Sequence, residues 1–209
     1  VFRNINIQGK SLYTLESRAS LYFLNSNLKE WFDPDFTKSI SSSIVDKSKK
    51  SRMDFVRYLS LISQYHKTHD ENKVAYRYAR RMEDYYESYI YSVVNDDDSL
   101  LFGKFSENYP DGNYKDRIDS MSRSIAELDL SRSYISIIDM DIYFFGLVYV
   151  ELFLKGSIDL SRKEDLKREL AEKISRKKRE PKHTKTPSLL KYLRTRIKDS
   201  IDIYLKYTV

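Results

Sequence analysis

"YISIIDMDIYFFGLVYVELFLKG", residues 134–156, is the most apolar stretch of the chain, and three carboxylates, Asp139, Asp141 and Glu151, interrupt it. A charge near the middle of a bilayer costs about 3 kcal/mol or more. The run is therefore a core helix rather than a membrane span. It is expected to start at Ser131 or Ser133, to end at Gly156 and to lie at the centre of an all-α bundle. Asp139 and Asp141 stand two apart, roughly 200° around a helix axis, so they cannot face the same neighbour. A buried carboxylate needs a partner. Either one is paired with Arg or Tyr while the other is exposed, or one is a functional acid.

Helical spacing continues on both sides of this stretch. Upstream, Tyr114 to Leu128 predicts a helix burying Ile118, Met121, Ile125 and Leu128. Before it, "PDG" at 110–112 is a turn, with Pro presetting φ and Gly taking the left-handed position. Downstream, "SRKE" at 161–164 has the form of a capping box opening a helix lined by Leu166, Leu170 and Ile174. "TPSLL" offers Thr186 as N-cap and Pro187 as the first helical residue of a last helix, with Leu190, Leu193, Ile197, Ile201 and Tyr204 as its stripe.

Nearer the start, Ser51 to Tyr65 predicts a helix with Phe55, Val56, Leu59 and Ile62 inward. Glu71 to Val94 predicts another, with Tyr78, Met82, Tyr86, Ile90 and Val93 inward and an Arg80–Asp84 pair outward. The first helix, capped by Ser11 or Thr14, carries Leu15, Ala19, Tyr22 and Phe23 and reaches about Leu28 before Pro34 stops it. Residues 37–51, rich in Ser and Lys, read as a flexible loop. The sum is about seven helices in one helical domain over 1–209: a motif turn and first helix at 1–30, the loop, and a bundle over 51–209. "VFRNINI" at 1–7 is the one strand-like, extended segment.

Composition agrees. Glycine and proline are scarce, at five and four residues, as a helical chain requires. Cysteine is absent, which excludes disulfides and thiolate zinc sites and fits a reducing, cytoplasmic setting. A formal charge of +6 permits a polyanion partner without demanding one. The 18 tyrosines are read as packing residues with the hydroxyl at the surface, rather than as base-stacking groups.

The opening residues carry more. Phe2, Ile5, Asn6, Gly9, Leu12, Glu16 and Arg18 resemble the F-x-R-I-N-x-x-G-x-x-L-x-x-x-E-x-R motif of the N-terminal domain of GmrSD-type modification-dependent restriction endonucleases. "RMDFVRYLSLISQY" at 52–65 is similar to that family's next helix. Asn4 stands where the family usually has Arg, with Arg3 adjacent.

The resemblance implies that a ParB-like nucleotide-sensing core precedes this segment and that an HNH nuclease domain or subunit partners it. NTP and Mg would be used by the intact protein and no cofactor by this part, in bacterial defence against foreign DNA. On that view the chain is the helical part of a larger protein and is not itself catalytic. The alternative is a helical scaffold or protein-interaction module with no nucleotide or DNA role.

Asn6, Gly9, Glu16 and Arg18 are the nucleotide-pocket candidates. Asn6 offers a donor and an acceptor, and Gly9 permits positive φ and close backbone approach. Arg18 can fork onto an acidic group or a phosphate. Against this, Asn6 and Gly9 only shape a turn and Arg18 is a surface residue.

"KISRKKREPKHTK" at 173–185 supplies the DNA-backbone candidates Lys173, Arg176, Lys177, Lys178, Arg179, Lys182 and Lys185. Contacts of that kind are salt-dependent and blind to sequence. The plain reading is a solvated helix end whose cations suit the helix dipole. His66 and His69, three apart, lack a placed third metal ligand and read as surface histidines. "NDDDS" at 95–99 lacks EF-hand spacing and reads as a solvated helix end.

Overall fold

The structure is a computed structural model that describes residues 14–42, 51–110 and 112–209. "VFRNINI", Asn6, Gly9 and Ser11 lie outside the described residues. The chain is predominantly helical, as expected, with ten α-helical segments among the described residues.

The apolar stretch forms α7, Ile137–Val148, extended by a π-helical turn over Tyr149–Phe153. It starts later than Ser131 or Ser133. Ser136 is the N-cap, its hydroxyl accepting from Ile138 N at 3.2 Å. Ser133–Tyr134 instead pairs in parallel with Ser41–Ser42. An extended backbone there carries the Tyr134 ring into the core, where its hydroxyl donates to Leu130 O.

Every residue from Ile142 to Phe153 except Tyr143 is buried, as a central helix requires. The main neighbour of α7 is α10, Leu190–Tyr204. The two backbones approach closely at Gly146, where a Cβ would lie 2.5 Å from Ser200 O. The Ser200 hydroxyl crosses the same gap, accepting from Gly146 N and donating to Ile142 O, both at 2.7 Å.

The remaining helices wrap this pair. They are α1 Thr14–Tyr22, α2 Ser26–Phe32, α3 Phe55–Thr68, α4 Met82–Val94, α5 Phe105–Asn108, α6 Lys115–Glu127, α8 Lys163–Arg179 and α9 Pro181–Lys185. The expected stripes of α3, α6 and α8 are buried, and so is that of α10 apart from the half-buried Leu190. Gly112 has φ +65°, as "PDG" requires. Three two-residue strands form one small sheet, with Ser41–Ser42 (β1) between Ser51–Arg52 (β2), antiparallel, and Ser133–Tyr134 (β3), parallel.

Several expected boundaries move, each for a local reason. The first helix is two: α1 ends at Tyr22 and α2 runs to Phe32, past Leu28. Phe23, expected in the stripe, is 72% exposed in the turn between them. The chain turns there so that Trp31 can be fully buried, with its indole donating to the Tyr89 hydroxyl at 3.1 Å. Helix α3 starts at Phe55, not Ser51, because Ser51 and Arg52 are in β2 and Asp54 caps the helix by accepting from Arg57 N.

Helix α4 starts at Met82, not Glu71. Buried Gln64 holds the preceding turn open, accepting from Ala75 N at 2.8 Å and donating to Lys73 O at 3.0 Å. Arg80 therefore precedes the helix, and its helical spacing to Asp84 does not apply. Residues 37–51 are ordered at both ends, by a 3-10 turn over Asp35–Ser39 and by the β1–β2 pair, and 43–50 lie outside the described residues.

The Ser161–Glu164 capping box does not form. Asp159 caps a 3-10 turn over Leu160–Arg162, accepting from both the amide and the hydroxyl of Ser161. Thr186 and Pro187 do not open the last helix, because Arg196 Nη2 donates to Pro187 O at 2.7 Å and holds that carbonyl outside it. Pro181 takes the early-helix role one element sooner, in α9.

Candidate functional site

The polar centre of the bundle is Asp141, fully buried on α7. Its two oxygens accept from both arms of the Arg57 fork, at 2.6 and 3.0 Å. Arg196 Nε, from α10, donates at 2.8 Å, and the Tyr58 hydroxyl at 3.2 Å. Burial alone would push the Asp141 carboxyl up; Arg57 and then Arg196 outweigh it and hold the group below the usual carboxylate range. One carboxylate thus pins α3, α7 and α10 together.

Asp139, on the same helix, turns outward to Lys178 of α8 at 2.7 Å. Asp139 and Asp141 are therefore both paired, one at the edge of the core and one within it. The expected angular separation holds. The "one exposed" half of the expectation does not, because the end of α8 covers Asp139.

Arg18 extends this ionic row. It is buried rather than a surface residue, and it forks onto Asp54 at 2.8 and 2.9 Å. Its Nε lies 3.0 Å from Glu83 Oε2, close enough for an ion pair though not aligned as a hydrogen bond. The guanidinium also sits 5.0 Å above the Tyr86 ring. Burial works against the Arg18 charge, and Asp54 and Glu83 more than offset it, so its pKa is raised. The acidic group that the Arg18 fork reaches is thus the chain's own. Glu16 is exposed on α1, two residues before Arg18 and so roughly 200° around the helix axis from it.

Glu151 is a second buried carboxylate, in the π-helical turn. It accepts from Ser120 at 2.8 Å, Ser124 at 2.6 Å and Arg117 at 3.1 Å, and so ties α6 to the end of α7. A π-turn at a buried acid often marks a functional position. Here every Glu151 oxygen is occupied by α6.

The basic run spans the end of α8 and all of α9, an elbow at the molecular surface. Lys173 and Lys177 pair with Asp199 of α10, at 3.0 and 3.1 Å, and Lys177 is buried. Lys178 holds Asp139. Arg176, Arg179, Lys182 and Lys185 are exposed and have no acidic partner among the described residues. The candidates therefore split into three internal ties and four outward cations.

His183 is buried inside the elbow, its Nε2 3.2 Å from Glu180 and its ring 4.4 Å from that of Tyr192. Burial and the nearby Lys177 charge push its pKa down.

His66 is half-buried against Tyr149 and Phe153, not a surface residue, and its pKa is lowered by burial and by His69. Among the described residues no three potential metal ligands cluster. Asp96, in "NDDDS", accepts from Ser106 N at 2.8 Å and lies 3.6 Å from Lys104, so that helix end is bound by its own chain. A cleft lined by Trp31, Tyr89, Phe105 and Tyr109 has room for roughly one water molecule. No described helix is long and apolar enough to cross a membrane.

Comparison with known proteins finds no matching family model, no matching curated protein and no matching solved structure.

Sequence reasoning found Asp141 and Arg18 but missed the residues that hold them. Arg196 was detectable: it falls between Leu193 and Ile197 on the inward face of the last helix. An Arg in an apolar stripe asks for a buried carboxylate. Asp54 and Glu83 gave no such signal.

Proposed function

We propose that this chain is the helical brace of a GmrSD-like modification-dependent restriction protein. In that role it supports a nucleotide-sensing domain, relays its state to a nuclease partner and contacts DNA backbone through the α8–α9 elbow. The observation that carries the reading is the Arg18 fork. Arg18 belongs to the family-like motif, and through Asp54 and Glu83 it ties α1 to α3 and α4. Asp54 caps α3, whose Arg57 grips Asp141 at the centre. A displacement of the motif segment is thereby coupled to the bundle core through a row of ionic contacts. The four outward cations of the elbow support the DNA contact.

The test is to express the chain with its native upstream sequence and titrate it with fluorescent nucleoside triphosphates. Binding is expected, and Arg18→Ala should weaken the transmission of nucleotide state to DNA retention while leaving nucleotide affinity within about threefold. Absence of any nucleotide binding or hydrolysis overturns the reading.

One observation favours the second reading, a protein-interaction module. Phe23 and Leu24 stand side by side in the α1–α2 turn, 72% and 92% exposed. A chain silent toward both nucleotide and DNA at low salt leaves that reading in place.

A further inference from the structure

We infer that the chain carries a docking face for an unpaired nucleic-acid strand, formed by the 73–81 turn beside the start of α10, with Tyr76 as its stacking platform. Arg194 of α10 donates from Nε to Val74 O at 2.9 Å, which sets two distant segments side by side. Both segments are free of acids. Residues 72–82 carry Lys73, Arg77, Arg80 and Arg81 with no Asp or Glu, and residues 186–198 likewise carry only cations among their charged groups.

Lys73, Arg77, Arg80 and Arg81 are exposed and have no acidic partner among the described residues. Of the flanking acids, Glu83 is held by Arg18 and Asp70 accepts from Asn72 N at 2.9 Å, while Glu71 and the exposed Asp84 form no ion pair with these four cations. The result is a predominantly cationic surface with Glu71 and Asp84 at its rim, which favours a polyanion.

The backbone supplies the reason for an unpaired strand. Ala75 and Arg77, on either side of Tyr76, have φ +50° and +70°. Non-glycine residues adopt that conformation rarely, and it persists where surrounding structure imposes it. Here Gln64 imposes it, through Ala75 N and Lys73 O, with Val74 and Ala75 fully buried.

The consequence is that Tyr76 is 60% exposed, with the Arg77 guanidinium 5.3 Å from its ring centroid. An outward aromatic ring with a guanidinium beside it offers a face to a bare base and charge to the phosphates next to it. A duplex hides its base faces within the stack and can use only the charge. The other aromatics nearby are engaged, Tyr78 against Tyr85 and Tyr192 against His183. Tyr76 is therefore the one that discriminates. This deepens the DNA contact proposed above and rests on it only for the shared polyanion partner.

The experiment is fluorescence anisotropy on the whole chain, with labelled oligothymidine of about 20 nucleotides and a duplex of equal length, at about 50 mM salt. The single strand should bind more tightly than the duplex. Tyr76→Ala should weaken the single strand by about 5- to 150-fold and leave the duplex unchanged, with Tyr76→Phe close to wild type. Arg77→Glu should weaken both.

If wild type retains no single strand at low salt, or if Tyr76→Ala binds it as tightly as wild type does, the inference falls. Binding that drops on reversing Lys182 and Lys185 but not on Tyr76→Ala leaves the elbow contact standing and removes this face. The opposite pattern removes the elbow and keeps the face.

Discussion

Two groups of cations in this chain use the same residue types to opposite ends. In the core, Arg18, Arg57 and Arg196 meet Asp54, Glu83 and Asp141, three guanidinium groups against three carboxylates. At the elbow, Lys173, Lys177 and Lys178 are tied to acids of neighbouring helices, and Arg176, Arg179, Lys182 and Lys185 face water unpaired. The difference is set by solvent. A buried guanidinium loses hydration worth several kcal/mol and must recover it from a carboxylate of its own chain. A surface cation keeps its hydration and stays available to an outside anion. The core row is therefore committed to architecture and the elbow remains free for a partner.

The sharpest way to break this contrast is Asp141→Ala. It would leave Arg57 and Arg196 facing each other in the core with no counter-charge. The expected loss is about 3–5 kcal/mol in urea unfolding; a loss under about 1 kcal/mol would mean that water reaches the centre.

The sign of the pH effect follows from the lowered Asp141 carboxyl. The unfolded group titrates near 3.9, so the contribution of this group is fully present above that pH. It is lost as pH falls through the lower native value. Asp141→Ala should lack that part of the acid limb.

Arg18→Ala probes the edge of the same row and should cost less, about 1.5–3 kcal/mol. The Arg18 side chain is 5% exposed, but Asp54 and Glu83 are 25% and 52% exposed and can be rehydrated. Arg18→Lys should recover only part, since an ammonium cannot fork onto Asp54. Equal melting curves for wild type and Arg18→Ala would show that the fork holds nothing.

The helical class and the inward faces were legible because apolar spacing is a local property of the sequence. The stripe of α10 and the central place of residues 134–156 follow from it directly. Boundaries were less legible wherever a distant group overrode a local signal. Arg196 takes the Pro187 carbonyl and delays α10, and Gln64 holds Lys73 and Ala75 and delays α4. Neither partner is near in sequence to the signal it cancels.

The same limit applies to the site. Asp141 announced itself as an acid in an apolar run, but its partners come from residues 57, 58 and 196. In the basic run, spacing alone gave no way to separate the cations that Asp199 and Asp139 hold from those left outward. Tyr76 was invisible as anything but one tyrosine among many, because its exposure arises from two left-handed residues that no glycine signalled.

The smallest expected effect on stability tests the surface half of the contrast. Reversing Arg179, Lys182 and Lys185 to Glu should cost about 1 kcal/mol or less, mostly from Arg179, which complements the dipole at the end of α8. DNA retention should respond strongly: if all three touch phosphates, the slope of log affinity against log salt falls by about 3. Three reversals subtract six charges and take the formal net charge from +6 to zero, so any loss has to be separated from a change in overall charge. Reversing Lys29, Lys38 and Arg123, exposed on other elements, makes the same change away from the elbow. If both triples lose retention equally, the elbow has no special standing and only the overall charge acts. Lys177→Glu completes the contrast from the other side. Lys177 is buried against Asp199 and Glu180, so its reversal should lower stability more than the outward triple does, although Arg179 of that triple lies within one turn of it on the same helix.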